Sequence, residues 1–338
     1  MNFITILKQA IRFGVVFLYG STGETIVERS GHLNLGIPGI MCLGGVGGCM
    51  GAYWAYQGVY MPLLKEFGAN NIPHLTAVAA LIIFSAVAMA MVFGGLGGLL
   101  YGVFTITMRC NQNVTGLTLT TFGAGVLGFW GTQMGEKDIL FAPIVRRAMI
   151  TESLFFGKNV PEDWFSTIFL SHGVFVYLGI VIAILVAIYI KFTRQGLAMR
   201  AVGENPAAAD AAGINVIAHK YVSCVVGAAI SGIGGAFYLL DCTRGSLEYV
   251  IDAMGWLAVA LVIFSLWRPG IGILGSFVFG FLYILPQYIE GVDLAEKELL
   301  KVIPYAATAL VLIVISFFNK RETQPPAALG LPYFREDR

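Results

Sequence analysis

The chain has 338 residues, of which 57% are hydrophobic and 12% charged, with a formal net charge of +1 and a mean hydropathy of +0.78. A soluble domain carries about a quarter charged residues, and a large apolar core cannot make up the shortfall, because the exterior must still meet water. The composition excludes a water-soluble globular protein and points to an all-α, multi-pass membrane protein; with no basic patch interleaved with aromatics, it also points away from nucleic acid.

A helical crossing needs about 20 apolar residues. The first run, 6–24, carries Lys8 and Arg12 near its start and has no small-x-small cleavage site after it, so it reads as a retained span. The stretch GETIVERSGHLNLGIPGIM (23–41) follows, with Glu24, Glu28, Arg29, His32 and Asn34 set among membrane-grade sequence. Its glycines and Pro38 disfavour a continuous helix, which predicts a broken helix near residues 24–38. Two readings fit: an interfacial turn with a Glu28–Arg29 pair among headgroups, or irregular backbone lining a polar path through the protein.

Further runs lie at 38–56, 75–108, 114–134, 172–192, 221–240, 254–267, 271–289 and 300–318. The run 75–108 is too long for one upright crossing and short for two, and Gly94, Gly95, Gly97 and Gly98 interrupt it. The count is therefore nine or ten. Lys8 and Arg12 favour an N-terminus on the inside, and with it ten. Orientation follows from basic residues in short loops. Lys191, Arg194, Arg200 and Lys220, then Arg268, then Lys320 and Arg321 all fall on one side if each later run crosses once. That side is cytoplasmic, the C-terminus with it, and the loop 135–171 is external although it holds Lys137, Arg146 and Arg147.

Small residues four apart, such as Gly44/Gly48 and Gly227/Ser231, predict close helix packing. The five cysteines show no metal spacing and read as small hydrophobes. The histidines His32, His74, His172 and His219 all lie near predicted span ends. Gly157-Lys158 lacks the rest of a phosphate-binding loop, and neither HExxH nor GxSxG occurs, so the chain reads as a non-enzyme.

The segment KFTRQGLAMRAVGENPAAADAAGINVIAHKYV (191–222) is the second polar stretch. Asn205 can cap a helix, Pro206 suits its first position, and Gly213 is a natural stop. This predicts a two-turn helix over 205–213. A helix that short is marginal in water. It is either a connector held by its own chain or an alanine-surfaced piece that inserts into a groove on another protein.

With ERSGHLNLG, GLAMRAVGENPAAADAAGI, GWLAVALVIFSLWRPGIGIL and the ending PPAALGLPYFRED, the chain resembles the permease subunits of bacterial ABC importers. The branch is the one that carries simple sugars, branched-chain amino acids and nucleosides, and the likeness is strongest to the paired nucleoside permeases. It departs at Pro38-Gly39, where that sub-branch has Glu-Gly; losing this carboxylate bears on substrate preference.

The resemblance implies a transmembrane domain over 1–318 in the bacterial cytoplasmic membrane, with a coupling loop at 193–220 and a cytoplasmic tail at 319–338. It implies that Arg200, Glu204, Asn205, Pro206, Ala209, Asp210 and Gly213 meet a cytoplasmic ATPase, which would hold ATP and Mg; no cofactor is expected in this chain. It implies two more partners, a second, paralogous permease subunit and an external solute-binding lipoprotein docked on outer loops that include 135–171. Glu24, Asn34, Asn113 and Thr121 become candidates to line the path. Trp130 would stack on a base or anchor the chain at the interface, and Arg29 would pair with Glu28. An ion-coupled secondary transporter is the reading from another class; it would need carboxylates deep within the spans.

Overall fold

A computed structural model describes residues 3–68, 74–247, 252–289, 291, 293–318 and 324–334. The chain opens with α1 (Phe3–Arg29), α2 (Ile37–Ala55), α3 (Met61–Phe67), α4 (Leu75–Gly102), α5 (Gln112–Glu136), α6 (Phe141–Arg147) and α7 (Val174–Phe192). Two short helices, α8 (Arg194–Glu204) and α9 (Pro206–Ala211), precede α10 (Val216–Phe237), α11 (Asp252–Phe264), α12 (Pro269–Ile284), α13 (Leu294–Leu300) and α14 (Ile303–Phe318).

Five stretches are long and apolar enough to cross a bilayer: Phe3–Arg29, Leu75–Thr107, Val174–Phe192, Val216–Cys242 and Pro269–Tyr288. At a rise of about 1.5 Å per residue, even the shortest matches a hydrocarbon layer roughly 30 Å thick. Four less apolar or shorter helices run alongside. α2 packs on α4 and α10, α5 on α2, α11 on α1, and α14 on α11. The core centres on α1, which is buried without interruption from Gly14 to Glu28. That stretch holds Glu24 and Glu28, and ionisable groups in a membrane helix face the interior of the bundle rather than lipid.

The helix ends sort into two sets. The lower end gathers the end of α1, the α8–α9 segment, the turn between α11 and α12, and the described part of the tail. There Arg29 Nε donates to the Trp267 carbonyl (3.1 Å) and the Ala328 amide to the Gly203 carbonyl (3.0 Å). The upper end gathers the start of α1, the end of α10 and the connection from α5 to α7; Arg12 Nη2 lies 2.7 Å from Asp241 Oδ1. Among the described residues the chain makes nine passes between these ends, alternately down and up, starting from the upper end with α1.

Three expectations change. Residues 75–107 form one helix rather than two. Gly94, Gly95 and Gly98 face α10 and Gly97 faces α2 instead of breaking the chain: a Cβ at Gly98 would sit 2.4 Å from the Cys224 carbonyl oxygen. Lys8 and Arg12 consequently lie at the end opposite the 193–220 loop. Arg12 is neutralised by Asp241, so it does not act as a free loop charge of the kind that sets orientation. Finally, α1 continues six residues past Gly23, and the non-helical link is only 30–36. It begins where Gly31 takes φ +89°: Gly31 N–H reaches Glu28 O (2.9 Å) and His32 N–H reaches Val27 O (3.3 Å). This left-handed cap satisfies the last carbonyls of the helix. Lys320 and Arg321 lie outside the described residues. Cys42, Cys49 and Cys224 are buried as expected, whereas Cys110 is exposed.

Candidate functional site

At the lower end, α9 forms as its local sequence dictates. Asn205 Oδ1 accepts from the Ala208 amide (3.0 Å), Pro206 occupies the first turn, and Gly213 ends the segment at φ +83°. The helix before it, α8, is capped by Thr193 Oγ1 on the Gly196 amide (3.0 Å); it was legible only in Thr193 preceding a run of helix formers. The two helices close on a small apolar cluster of Val202, Ala209 and Val216, joined by Ala201, Ile214 and Tyr333.

The residues expected to meet an ATPase therefore divide. Glu204, Asn205 and Gly213 are exposed, together with Ala207, Ala208, Ala211 and Ala212. Ala209 is 4% exposed and packs inward. Pro206 is half-buried. Asp210 Oδ2 accepts from the Tyr333 hydroxyl (2.9 Å) and so faces the tail. Arg200 is half-buried and close enough to Arg29 to repel it.

The tail straps this assembly down. The Ala327 amide donates to Glu204 Oε2 (3.4 Å), Ala328 N–H to Gly203 O (3.0 Å) and Gly330 N–H to Gly31 O (3.1 Å).

The link 30–36 is pinned from every side. Glu24 Oε1 accepts from the Asn34 amide (3.0 Å), and Asn34 Oδ1 accepts from the Gly36 amide (2.9 Å). Gln112 Oε1 takes the Leu33 amide and Tyr101 Oη donates to the Leu33 carbonyl, both at 2.8 Å. Thr120 Oγ1 donates to Leu35 O (3.0 Å). Glu24 and Asn34 are 0% and 1% exposed, so in this conformation both hold the link together rather than border an open path. Glu28 and Arg29 do not pair with each other: Trp267 Nε1 donates to Glu28 Oε2, and Arg29 Nε donates to the Trp267 carbonyl. The link, the α11–α12 turn, the α8–α9 segment and the tail thus form one connected body. Within it, burial pushes the His32 imidazole down to about 3, with Lys220 adding to the shift, so its ring is neutral at physiological pH.

The remaining path candidates lie on α5. Asn113 and Thr121 are exposed, and the Thr121 hydroxyl donates to its own helix at Leu117 O (3.2 Å). Thr118 and Thr132 do likewise, which leaves a flank of satisfied hydroxyls and bare Gly125 and Gly128. Trp130 is nine residues beyond Thr121, about 180° round the helix, so the two do not meet. It lines a cavity of about 260 Å3 near the upper end with Tyr53, Trp54 and Phe141.

A larger feature escaped the sequence reading. A cavity of about 1050 Å3 at the upper end is lined by Lys8, Arg12, Arg146, Arg147, Lys158 and Arg244, against only Glu152 and Asp241. Arg12 pairs with Asp241 and Lys158 with Glu152 (3.5 Å). Lys8, Arg146, Arg147 and Arg244 have no ion pair among the described residues. His172, on the same wall, is pushed down to about 4 by burial and adds no charge near neutrality. These residues come from four distant parts of the chain, and only Arg146-Arg147 was visible as a basic pair.

The family described as branched-chain amino acid transport system, permease component, matches residues 6–316. The nucleoside ABC transporter permease protein NupC of Lactococcus lactis is 28% identical, covering 98% of this chain and 96% of that protein. The guanosine ABC transporter permease protein NupQ of Bacillus subtilis is 27% identical, covering 98% and 97%. A putative glucose ABC transporter permease protein of Haloferax volcanii, TsgC13, is 27% identical over 86% of this chain and 79% of its own. No solved structure matches.

Proposed function

Because this chain belongs to the family of branched-chain amino acid transport system permease components, we propose that it forms part of the membrane pathway of an ATP-driven importer of nucleosides. The observation that carries this reading is α9, a capped helix that turns Ala207, Ala208, Ala211 and Ala212 outward while its other face is tied to the tail and to α8. An exposed apolar strip on so short a helix is suited to a groove on another protein.

In this reading the lower end is cytoplasmic, the chain crosses the bacterial membrane nine times, and the N-terminus is external. The basic residues Lys191, Arg194, Arg200, Lys220 and Arg268 support that side. The transmembrane domain is 1–318, and the tail 319–338 is cytoplasmic. A separate ATPase, with ATP and Mg, grips the outward face of α8–α9 through Glu204, Asn205, Ala208 and Gly213, with Arg200 and Pro206 beneath. Its closure pulls on Gly203 and the tail, and through the tail's bond to Gly31 on the ends of α1 and α2. The path runs along the α5 flank at Asn113 and Thr121, beside a second, paralogous permease. Glu24 and Asn34 set the geometry of the link, and rupture of their bonds would expose them to solute in another state. An external binding protein, docked near the 135–171 loop, delivers the solute. Carboxylates do lie within helices, Glu24 with Oε1 on the Asn34 amide and Oε2 without a hydrogen-bond partner among the described residues, and Asp241 paired with Arg12. The relatives named as ABC transporter permeases favour the ATP-driven reading over an ion-coupled one.

Nucleosides are preferred because the two relatives named for them match nearly the full chain, whereas the relative named for glucose leaves more of it uncovered. That relative and Pro38-Gly39 favour a simple sugar as the second reading. Vesicles carrying the chain with its co-purified partners and external binding protein should take up labelled guanosine with ATP inside. An excess of unlabelled nucleoside should abolish uptake and an excess of glucose should leave it unchanged. Uptake of glucose alone would overturn the nucleoside assignment.

A further inference from the structure

A cavity of about 450 Å3 opens at the lower end between the end of α4, the α9–α10 junction and the tail. Its volume lies within the range of roughly 300–1,000 Å3 used by small-ligand sites. Lys220 lines it at 4% exposure, and among the described residues it forms no ion pair. His32 lines it at 2% exposure, and its Nδ1 has no hydrogen-bond partner. Arg109 forms a third part of the wall, with its guanidinium 4.6 Å from the Phe334 ring centroid. The one carboxylate in the lining is Asp210, and one of its oxygens already accepts the Tyr333 hydroxyl.

A buried ammonium without a counter-charge is unfavourable, so such a group either gives up its proton or takes up an anion. Lys220 and the exposed Arg109 against one engaged carboxylate leave the described lining net positive. A neutral imidazole adds a donor without adding repulsion to a second cation, and burial keeps His32 in that form.

We propose that this cavity binds a small oxyanion, a phosphate or carboxylate group, held between Lys220 and Arg109 with the His32 ring as a third partner. Two sources carry that chemistry, a soluble anion of the cell interior and the headgroup of an anionic lipid. Either would tie the end of α4 to the start of α10 beneath the tail. The site stands whether or not α9 meets an ATPase, because binding is read directly.

The test uses the full-length chain with its co-purified partners. In one arm the detergent-washed complex is dialysed against labelled inorganic phosphate. In the other it is passed through nanodiscs of phosphatidylcholine with phosphatidylglycerol, and retained lipid is counted by mass spectrometry. The expected result is saturable binding of one phosphate, or retention of one phosphatidylglycerol, per chain. Lys220→Met should weaken it at least tenfold and Arg109→Gln severalfold, while Lys191→Gln, away from the cavity, leaves it unchanged. Arg109 is exposed, so its variant keeps the test valid if Lys220→Met fails to fold. Binding in neither arm, or binding equally strong in both variants, overturns the proposal.

Discussion

Ala208→Trp is expected to abolish ATP-driven uptake while leaving the chain folded. Ala208 is exposed on α9, and it is engaged through its backbone alone: its carbonyl accepts from the Ala212 amide, and its own amide donates to Asn205 Oδ1. The substitution keeps those bonds, so the melting temperature in detergent should change little, as for surface positions within about 0.5 kcal/mol. A groove shaped for alanine cannot take an indole without displacing its walls. A loss of about 1.4 kcal/mol of docking already lowers occupancy tenfold at limiting partner, and a steric clash should cost more. Ala209→Trp is the informative contrast. Ala209 packs against Val202 and Val216, so that substitution should lower the melting temperature as well as uptake. If Ala208→Trp transported normally, α9 would be a connector.

Gly232→Val should prevent recovery of a folded, monodisperse protein. A Cβ at position 232 would lie 2.6 Å from the Ala90 carbonyl oxygen, 3.0 Å from Gly94 Cα and 3.4 Å from Gly44 Cα. Three helices, α2, α4 and α10, meet there backbone to backbone, and none of those atoms is the flexible tip of a side chain. Overpacking a tight core costs about 1–3 kcal/mol; here three walls must part, so the upper end of that range is expected. Gly125→Val serves as the control, because nothing lies within 4 Å of its Cβ position. Size-exclusion profiles and melting temperatures of the two variants make the comparison. Equal behaviour would show that the small-residue rows do not set the helix spacing.

What was legible in the sequence was local. Asn205, Pro206 and Gly213 specify α9 because capping and stopping act within a few residues. The apolar runs gave the long helices because a crossing needs a fixed length of apolar chain. The small-residue rows gave close packing without telling which helix each row faces. The break near 24–38 was read too early: Gly23 is held in helix by its packing against α10, where a Cβ would lie 2.2 Å from Gly227 O, and that contact is invisible to local propensity.

Partnerships across the chain were not legible either. Arg12 finds Asp241 at a separation of 229 residues, which misled the orientation of the first helix. Glu28 and Arg29 are adjacent, but both turn to Trp267, which the chain reaches only after ten further helices. The two charged cavities share this character. The upper one draws on α1, α6, the 151–173 connection and the end of α10; the lower one draws on the link, α4, α10 and the tail. Periodicity and spacing carry no trace of such assemblies. The candidate path residues were chosen for polarity within spans, which does not distinguish a side chain facing a solute from one holding a turn, as Glu24 does.

Ala208→Cys and Arg146→Cys, each introduced alone into a chain whose exposed Cys110 and half-buried Cys242 are replaced by serine, allow a direct test in native membranes with a short thiol-to-amine cross-linker. The account predicts that the cysteine at 208 joins a cytoplasmic ATPase in high yield, with the yield changing when nucleotide is added, and that the cysteine at 146 joins only externally located protein. A cross-link from 208 to an external protein, or an ATPase captured at 146 and not at 208, would contradict it.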